Sequence, residues 1–140
     1  MTPTLAALTG FIAWSLALLL LMEAIRSWLV VSGTVPANGF CPDNSNLSPF
    51  MQRLARAHAN CIEGLPIFGG LLLVAVAAGH SALTDPLAYV LLSARILQSL
   101  IHLASTSATA VTLRFTAFAV QMGIGAWWAV LLLALAANRP

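Results

Sequence analysis

The sequence predicts an all-α protein, an integral membrane up-down four-helix bundle. Three observations carry this. Of 140 residues, 60% are apolar and only 7% are charged. The mean hydropathy is +0.93. The chain also holds four long stretches without a charged side chain, at 1–22, 64–84, 96–113 and 115–138. Soluble domains are about a quarter charged, and disordered chains combine low hydrophobicity with high charge. Two cysteines are too few for a disulfide-stapled module. There is no lysine, and the six basic residues are scattered arginines rather than a basic face. Nucleic acid is therefore not the expected partner, and the lipid bilayer is.

A helix needs about 20 mostly apolar residues to cross the hydrocarbon core. The first span, about residues 5–30, satisfies this with no basic residue ahead of it, unlike a cleaved signal peptide. Residues 32–47 hold Gly33, Pro36, Gly39, Pro42, Asp43 and Asn44 and read as the main loop. Ser48-Pro49 is a helix start. The second helix is thus expected over about 50–79, entering from water, with Pro66 kinking it. The third span is expected over 86–104, with Asp85 as its cap, Pro86 in its first turn and Arg95 inside it. The small polar run 105–109 then reads as a loop, and the fourth span as 113–136. Short connections favour antiparallel neighbours, so the whole chain, 1–140, is expected as one membrane domain.

Arg26, Arg53, Arg56 and Arg114 fall at the face carrying the first and third loops, and Arg139 at the other. The excess of arginine predicts those loops in the cytoplasm and both termini on the opposite side. Cys41 and Cys61 would then meet a reducing compartment, with no disulfide between them.

A charge at mid-bilayer costs about 2.5–3.5 kcal/mol even on insertion scales, so such residues face a bundle interior or a wet cavity. Two polar stripes meet that description. Arg56, Asn60 and Glu63 are spaced i, i+4, i+7 on the second helix, with Arg53 one turn nearer water. Arg95, Gln98 and His102 are spaced i, i+3, i+7 on the third, continued by Ser105. Glu63 and Arg95 are expected to form a structural ion pair locking the two helices. The remaining groups, with Arg114, exceed what one lock needs, and a polar ligand at the loop side would satisfy them. Glu23 and Arg26 can pair locally at i, i+3. Trp127-Trp128 read as packing or belt residues. Gly69-Gly70, Gly123 and Gly125 read as close helix contacts. His58, His102 and Cys61 lack metal-ligand spacing, so no metal is expected. No hydrolase signature or phosphate-binding glycine loop is present.

The segment Arg56-Ala-His-Ala-Asn60-Cys-Ile-Glu63-Gly-Leu-Pro66 resembles the second-helix signature of the MAPEG family, the membrane-associated proteins in eicosanoid and glutathione metabolism. Arg95 and Arg114 resemble arginines of its third and fourth helices. The resemblance implies a homotrimer that binds glutathione between adjacent protomers, in a cleft open to the cytoplasm. Members are glutathione transferases, glutathione peroxidases, leukotriene C4 synthase and prostaglandin E synthase. Carried over, Arg56, Asn60 and Glu63 would contact glutathione and Arg95 would support Glu63. Gln98 and His102 stand where relatives carry His or Tyr, and would contact it from the third helix. Arg114 resembles the catalytic arginine beside the thiol, and Arg26 an arginine supplied by a neighbouring subunit. This chain departs from the pattern in lacking the third-helix tyrosines, in Ala59, where some relatives carry arginine, and in Phe115, where one branch carries serine.

The chemistry agrees with the resemblance. Glutathione carries two carboxylates, an ammonium and a thiol. Arginines, one acid and side-chain amides match the first two, and a nearby cation favours the thiolate. The expected function is a membrane glutathione-dependent transferase or peroxidase acting on lipophilic electrophiles, with glutathione as co-substrate. The competing reading is a non-catalytic relative that binds a thiol or lipid, or acts as a scaffold.

Overall fold

Thr2 opens the first helix, α1 (Pro3–Val31). Its hydroxyl accepts the Leu5 N–H at 3.2 Å, and Pro3 occupies the first helical turn, where its missing N–H costs nothing. The structure is a computed structural model describing residues 1–137, so the expectation resting on Arg139 lies outside the described residues. Ser48 opens α2 (Pro49–Ala77) in the same way, accepting the Met51 N–H at 3.3 Å. The other two helices are α3 (Ser81–Ala104) and α4 (Ala108–Ala137). All four are long and apolar enough to cross a membrane. Among the described residues there is no strand. Leu16, Leu20, Leu97, Val130 and Leu133 turn outward, as side chains bathed in acyl chains do.

The proline in α2 widens the helix. Residues Leu65–Gly69 form one π turn, closed by the Gly70 N–H on the Leu65 carbonyl. Pro66 has no N–H to give its own i−4 carbonyl, and the extra residue in the turn absorbs that gap.

Two boundaries differ from the sequence expectation. Helix α3 starts at Ser81, not at Pro86, and Asp85 does not cap it. The Asp85 carboxylate reaches across to α1 instead. Its Oδ1 accepts the Thr4 N–H at 2.9 Å and the Thr4 hydroxyl at 2.6 Å. The Thr4 and Thr84 hydroxyls also meet at 2.7 Å. Free N–H groups and the positive end of the α1 dipole attract an anion, and the neighbouring helix supplies it. Asp85→Ala is therefore expected to destabilise the protein by about 1–2 kcal/mol, as loss of a helix cap does. Thermal unfolding in detergent checks it, and an unchanged midpoint would show the cap to be idle. The second boundary is α4, which starts at Ala108 rather than 113. Ser107 caps it by accepting the Ala110 N–H at 3.2 Å, which leaves only 105–107 as loop.

Helix α3 is the hub. It packs on α1, α2 and α4, while among the described residues the α1 and α4 backbones do not come close to each other. Helices α2 and α4 meet only from the wide turn onward, so the first half of α2 stands apart from α4 and a groove opens between them. Leu54, Leu72, Leu91, Phe11 and Trp128 fill the core. Beside the wide turn Gly125 lets α4 approach, since a Cβ there would lie 3.1 Å from the Phe68 ring.

The main loop folds around Arg26. Its Nε donates to Asn44 Oδ1 at 3.1 Å and its Nη1 to Glu23 Oε1 at 3.0 Å, while Phe40 lies under the guanidinium at 5.5 Å. Asn44 is buried in the left-handed region (φ 57°) and donates to the Met51 carbonyl at 2.8 Å. In the same loop the Ser45 N–H holds the exposed Asp43 carboxyl below its ordinary pKa. A lowered folded-state pKa favours the fold above the ordinary carboxylate range, and the benefit fades as acid protonates Asp43.

Candidate functional site

The site is built where α2, α3 and α4 line the groove. Its deepest member is Arg95, on the face of α3 that points at α2, and only 1% exposed. Its Nη1 donates to the Asn60 carbonyl at 3.1 Å. Its guanidinium lies between two rings, 5.2 Å from Phe11 and 5.7 Å from Phe68. Gly64 makes the space, because a Cβ at that position would collide with Arg95 Nη2. Arg95 Nε and Nη2 are buried without a partner. Donors left so cost about 1–3 kcal/mol each unless something completes them.

The expected Glu63–Arg95 ion pair does not form within the protomer. Among the described residues the one ion pair is Arg26–Glu23. Glu63 lies on the exposed side of α2, whereas Arg95 runs behind the helix through the gap at Gly64. Both nevertheless line one cavity. This first cleft, about 380 Å³, is lined by Asn60, Glu63, Gly64, Arg95, Gln98 and Phe118 among others. A second, about 440 Å³, adds Arg56, His102 and Arg114 and shares Asn60, Gln98 and Phe118 with the first. The two adjoin along these shared residues, and each falls within the range of about 300–1,000 Å³ common for small-molecule sites. Toward the loop side a basic extension of about 280 Å³ runs between Arg53, Arg56 and His102. Toward the bilayer centre the groove becomes apolar, a cleft of about 480 Å³ lined by Ile67, Phe68, Leu71, Phe118, Met122 and Ala126 among others.

Of the residues singled out in the sequence, Arg56, Asn60, Glu63, Arg95, Gln98, His102 and Arg114 are thus brought together. Arg26 is not. Its guanidinium is engaged by Glu23, Asn44 and the carbonyls of the main loop. Arg53 belongs partly to the scaffold, since its Nε donates at 2.9 Å to the Leu103 carbonyl at the end of α3. A cation there completes a free carbonyl and suits the negative end of the helix dipole. Below Arg95, Ser99 Oγ donates to the Arg95 carbonyl at 3.1 Å and sits 3.5 Å from the buried Cys61 sulfur.

His102 also has a partner within the chain. Arg114 Nη1 donates to its Nδ1, which ties the start of α4 to the end of α3. The sequence reading also missed a member. Gln121 on α4 is fully buried, and its Nε2 donates to Gln98 Oε1 at 3.0 Å. It lies at i+7 from Arg114, hence on the same helix face, and is a strongly polar residue within the apolar run.

Because Gly64 supports Arg95 by absence of a side chain, Gly64→Ala is expected to push the guanidinium out of its slot. Overpacking of this kind costs about 1–3 kcal/mol. A lower unfolding midpoint for Gly64→Ala but not for Gly70→Ala, where a Cβ meets open space, checks the assignment.

No curated protein and no solved structure matches the chain. A family model does, the MAPEG family, over residues 4–134, which takes in all four helices almost whole. With four membrane-spanning helices and the Arg56-to-Pro66 segment lining the groove, the chain belongs to the MAPEG family.

Proposed function

We propose that the protein is a membrane-bound, glutathione-dependent transferase or peroxidase acting on lipophilic electrophiles. One observation carries this reading: a single groove runs from arginine-rich at the loop side to apolar at mid-membrane, with its polar part lined by Arg56, Asn60, Glu63, Arg95, Gln98 and Arg114. Such a gradient suits a reaction between a water-soluble anion and a membrane-dissolved partner.

Glutathione enters from the cytoplasmic side, where the first and third loops lie. Its carboxylates meet arginine guanidinium groups, which bind carboxylate in a forked geometry. Its ammonium meets Glu63, the one acid lining these clefts. The thiol lies near Arg114, whose charge favours the thiolate. The co-substrate comes in through the apolar part past Phe68 and Phe118. With an aryl halide the thiolate forms a C–S bond and halide leaves. With an unsaturated carbonyl the C–S bond forms at the β-carbon and a proton goes to the α-carbon. With a lipid hydroperoxide two glutathiones give the disulfide, the alcohol and water. The groove is exposed along one flank of the single chain, and a homotrimer closes it against a neighbouring protomer, as the family resemblance implies.

The test is a conjugation assay with an activated aryl halide on purified protein in detergent, paired with glutathione binding by calorimetry. Turnover above the uncatalysed rate, lost in Arg56→Ala, supports the reading. Binding without turnover would select the non-catalytic alternative, and absence of both would overturn the glutathione assignment.

A further inference from the structure

Gln121 settles which end of Gln98 faces the ligand. Its Nε2 donates to two acceptors, the Ala117 carbonyl at 3.0 Å and Gln98 Oε1 at 3.0 Å. A backbone carbonyl can only accept, so the Gln121 atom upon it must be the nitrogen. That same atom meets Gln98, so Gln98 must turn its oxygen toward Gln121. The oxygen of Gln98 is thereby held toward Gln121, with one of its two lone pairs taken, and the N–H pair is the end left free beside the two clefts that Gln98 lines. A second observation points the same way. Gln121 Oε1 is buried without a partner, a penalty that methionine of similar size would avoid. The side chain is thus poorly suited to a purely packing role, and its one link to the groove is Gln98.

We infer that Gln121 is a positioning residue that fixes Gln98 as a hydrogen-bond donor to glutathione, making this point of the groove select a carboxylate or peptide carbonyl. This rests on the glutathione reading above. An untethered Gln98 would rotate and offer either end, whereas a tethered one presents its donors and rejects an ammonium at that point.

The experiment is a double-mutant cycle on the purified full chain, reading glutathione affinity by calorimetry for the wild type, Gln98→Met, Gln121→Met and the double variant. Each single change is expected to weaken binding about 3- to 10-fold, the loss or misdirection of one hydrogen bond. Adding Gln121→Met to Gln98→Met is expected to change nothing further, because Gln121 acts only through Gln98. A packing role would make the two losses multiply, and that outcome, or wild-type affinity in Gln121→Met, overturns the inference. Gln98→Glu guards against a misfolded Gln121 variant. It keeps an acceptor for Gln121 but turns a carboxylate oxygen to the cleft, so it is expected to bind more weakly than Gln98→Met, and equal or tighter binding overturns the inference. A wild type that does not take up glutathione removes the functional reading and this inference together. Wild-type binding with an additive cycle removes this inference alone.

Discussion

Replacing Arg95 by methionine is expected to make the ligand-free protein more stable and unable to bind glutathione. The guanidinium is 1% exposed and two of its nitrogens lack partners. Exchanging a buried charge for an apolar side chain of similar length is often neutral or stabilising by about 1–4 kcal/mol. Such a gain raises the unfolding midpoint by a few degrees in a chain of this size. Arg95→Ala should do the opposite, because it leaves the slot between Phe11 and Phe68 empty, and emptied core sites cost about 2–5 kcal/mol. Saturating glutathione should then raise the wild-type midpoint and leave Arg95→Met where it was, since only a binder of the folded state stabilises it. Midpoints with and without glutathione for the three proteins check this. If Arg95→Met falls as far as Arg95→Ala, the unpartnered donors are not a reserve for a ligand but a part of the fold.

Arg114→Ala is expected to bind glutathione with modest loss and to ionise it poorly. A cation within about 4–6 Å lowers the pKa of an acid by about 1–3 units, so its removal cuts the thiolate fraction near neutrality by about tenfold or more. The conjugation rate should fall at least in proportion. The thiolate has its own ultraviolet absorbance, and titrating it in the wild type and in Arg114→Ala reads the change directly. Arg114→Lys should keep part of the effect, because it keeps the charge and loses the fork. His102→Phe should lie between wild type and Arg114→Ala, since it frees the guanidinium without deleting it. A thiolate fraction indifferent to residue 114 would remove that arginine from the chemistry.

The spans were legible because hydropathy alone separates lipid-crossing segments from loops, and the two polar stripes because a helix repeats its face at three, four and seven residues. What escaped depended on neighbours. Asp85 beside Pro86 reads as a cap for its own helix, yet the free N–H it meets is that of Thr4 in α1, 81 residues away in the chain. Glu63 and Arg95 read as partners by sign and depth, but a glycine next to the acid opens a slot through which the arginine passes behind it. Arg26 lies at the loop side with the other arginines, and only the fold of residues 32–47 around Asn44 shows that it is taken. Gln121 was hidden by company, one amide in an otherwise apolar run that reads as a membrane span.

The wide turn at Leu65–Gly69 divides α2 into two lengths wound out of step. A π turn amounts to one residue added to an α-helix, and each residue advances the winding by about 100°. The signature from Arg56 to Glu63 is therefore phased independently of the apolar turns from Gly70 to Ala77. Deleting one residue between 65 and 69, with Pro66 changed to alanine, would splice the two into a single regular helix. The lower half would swing by about a quarter-circle, and Phe68, which touches both Arg95 and Phe118, would leave its station. The junction of the anion-binding and oil-loving halves of the groove would then come apart, although no residue that touches an anion had been altered.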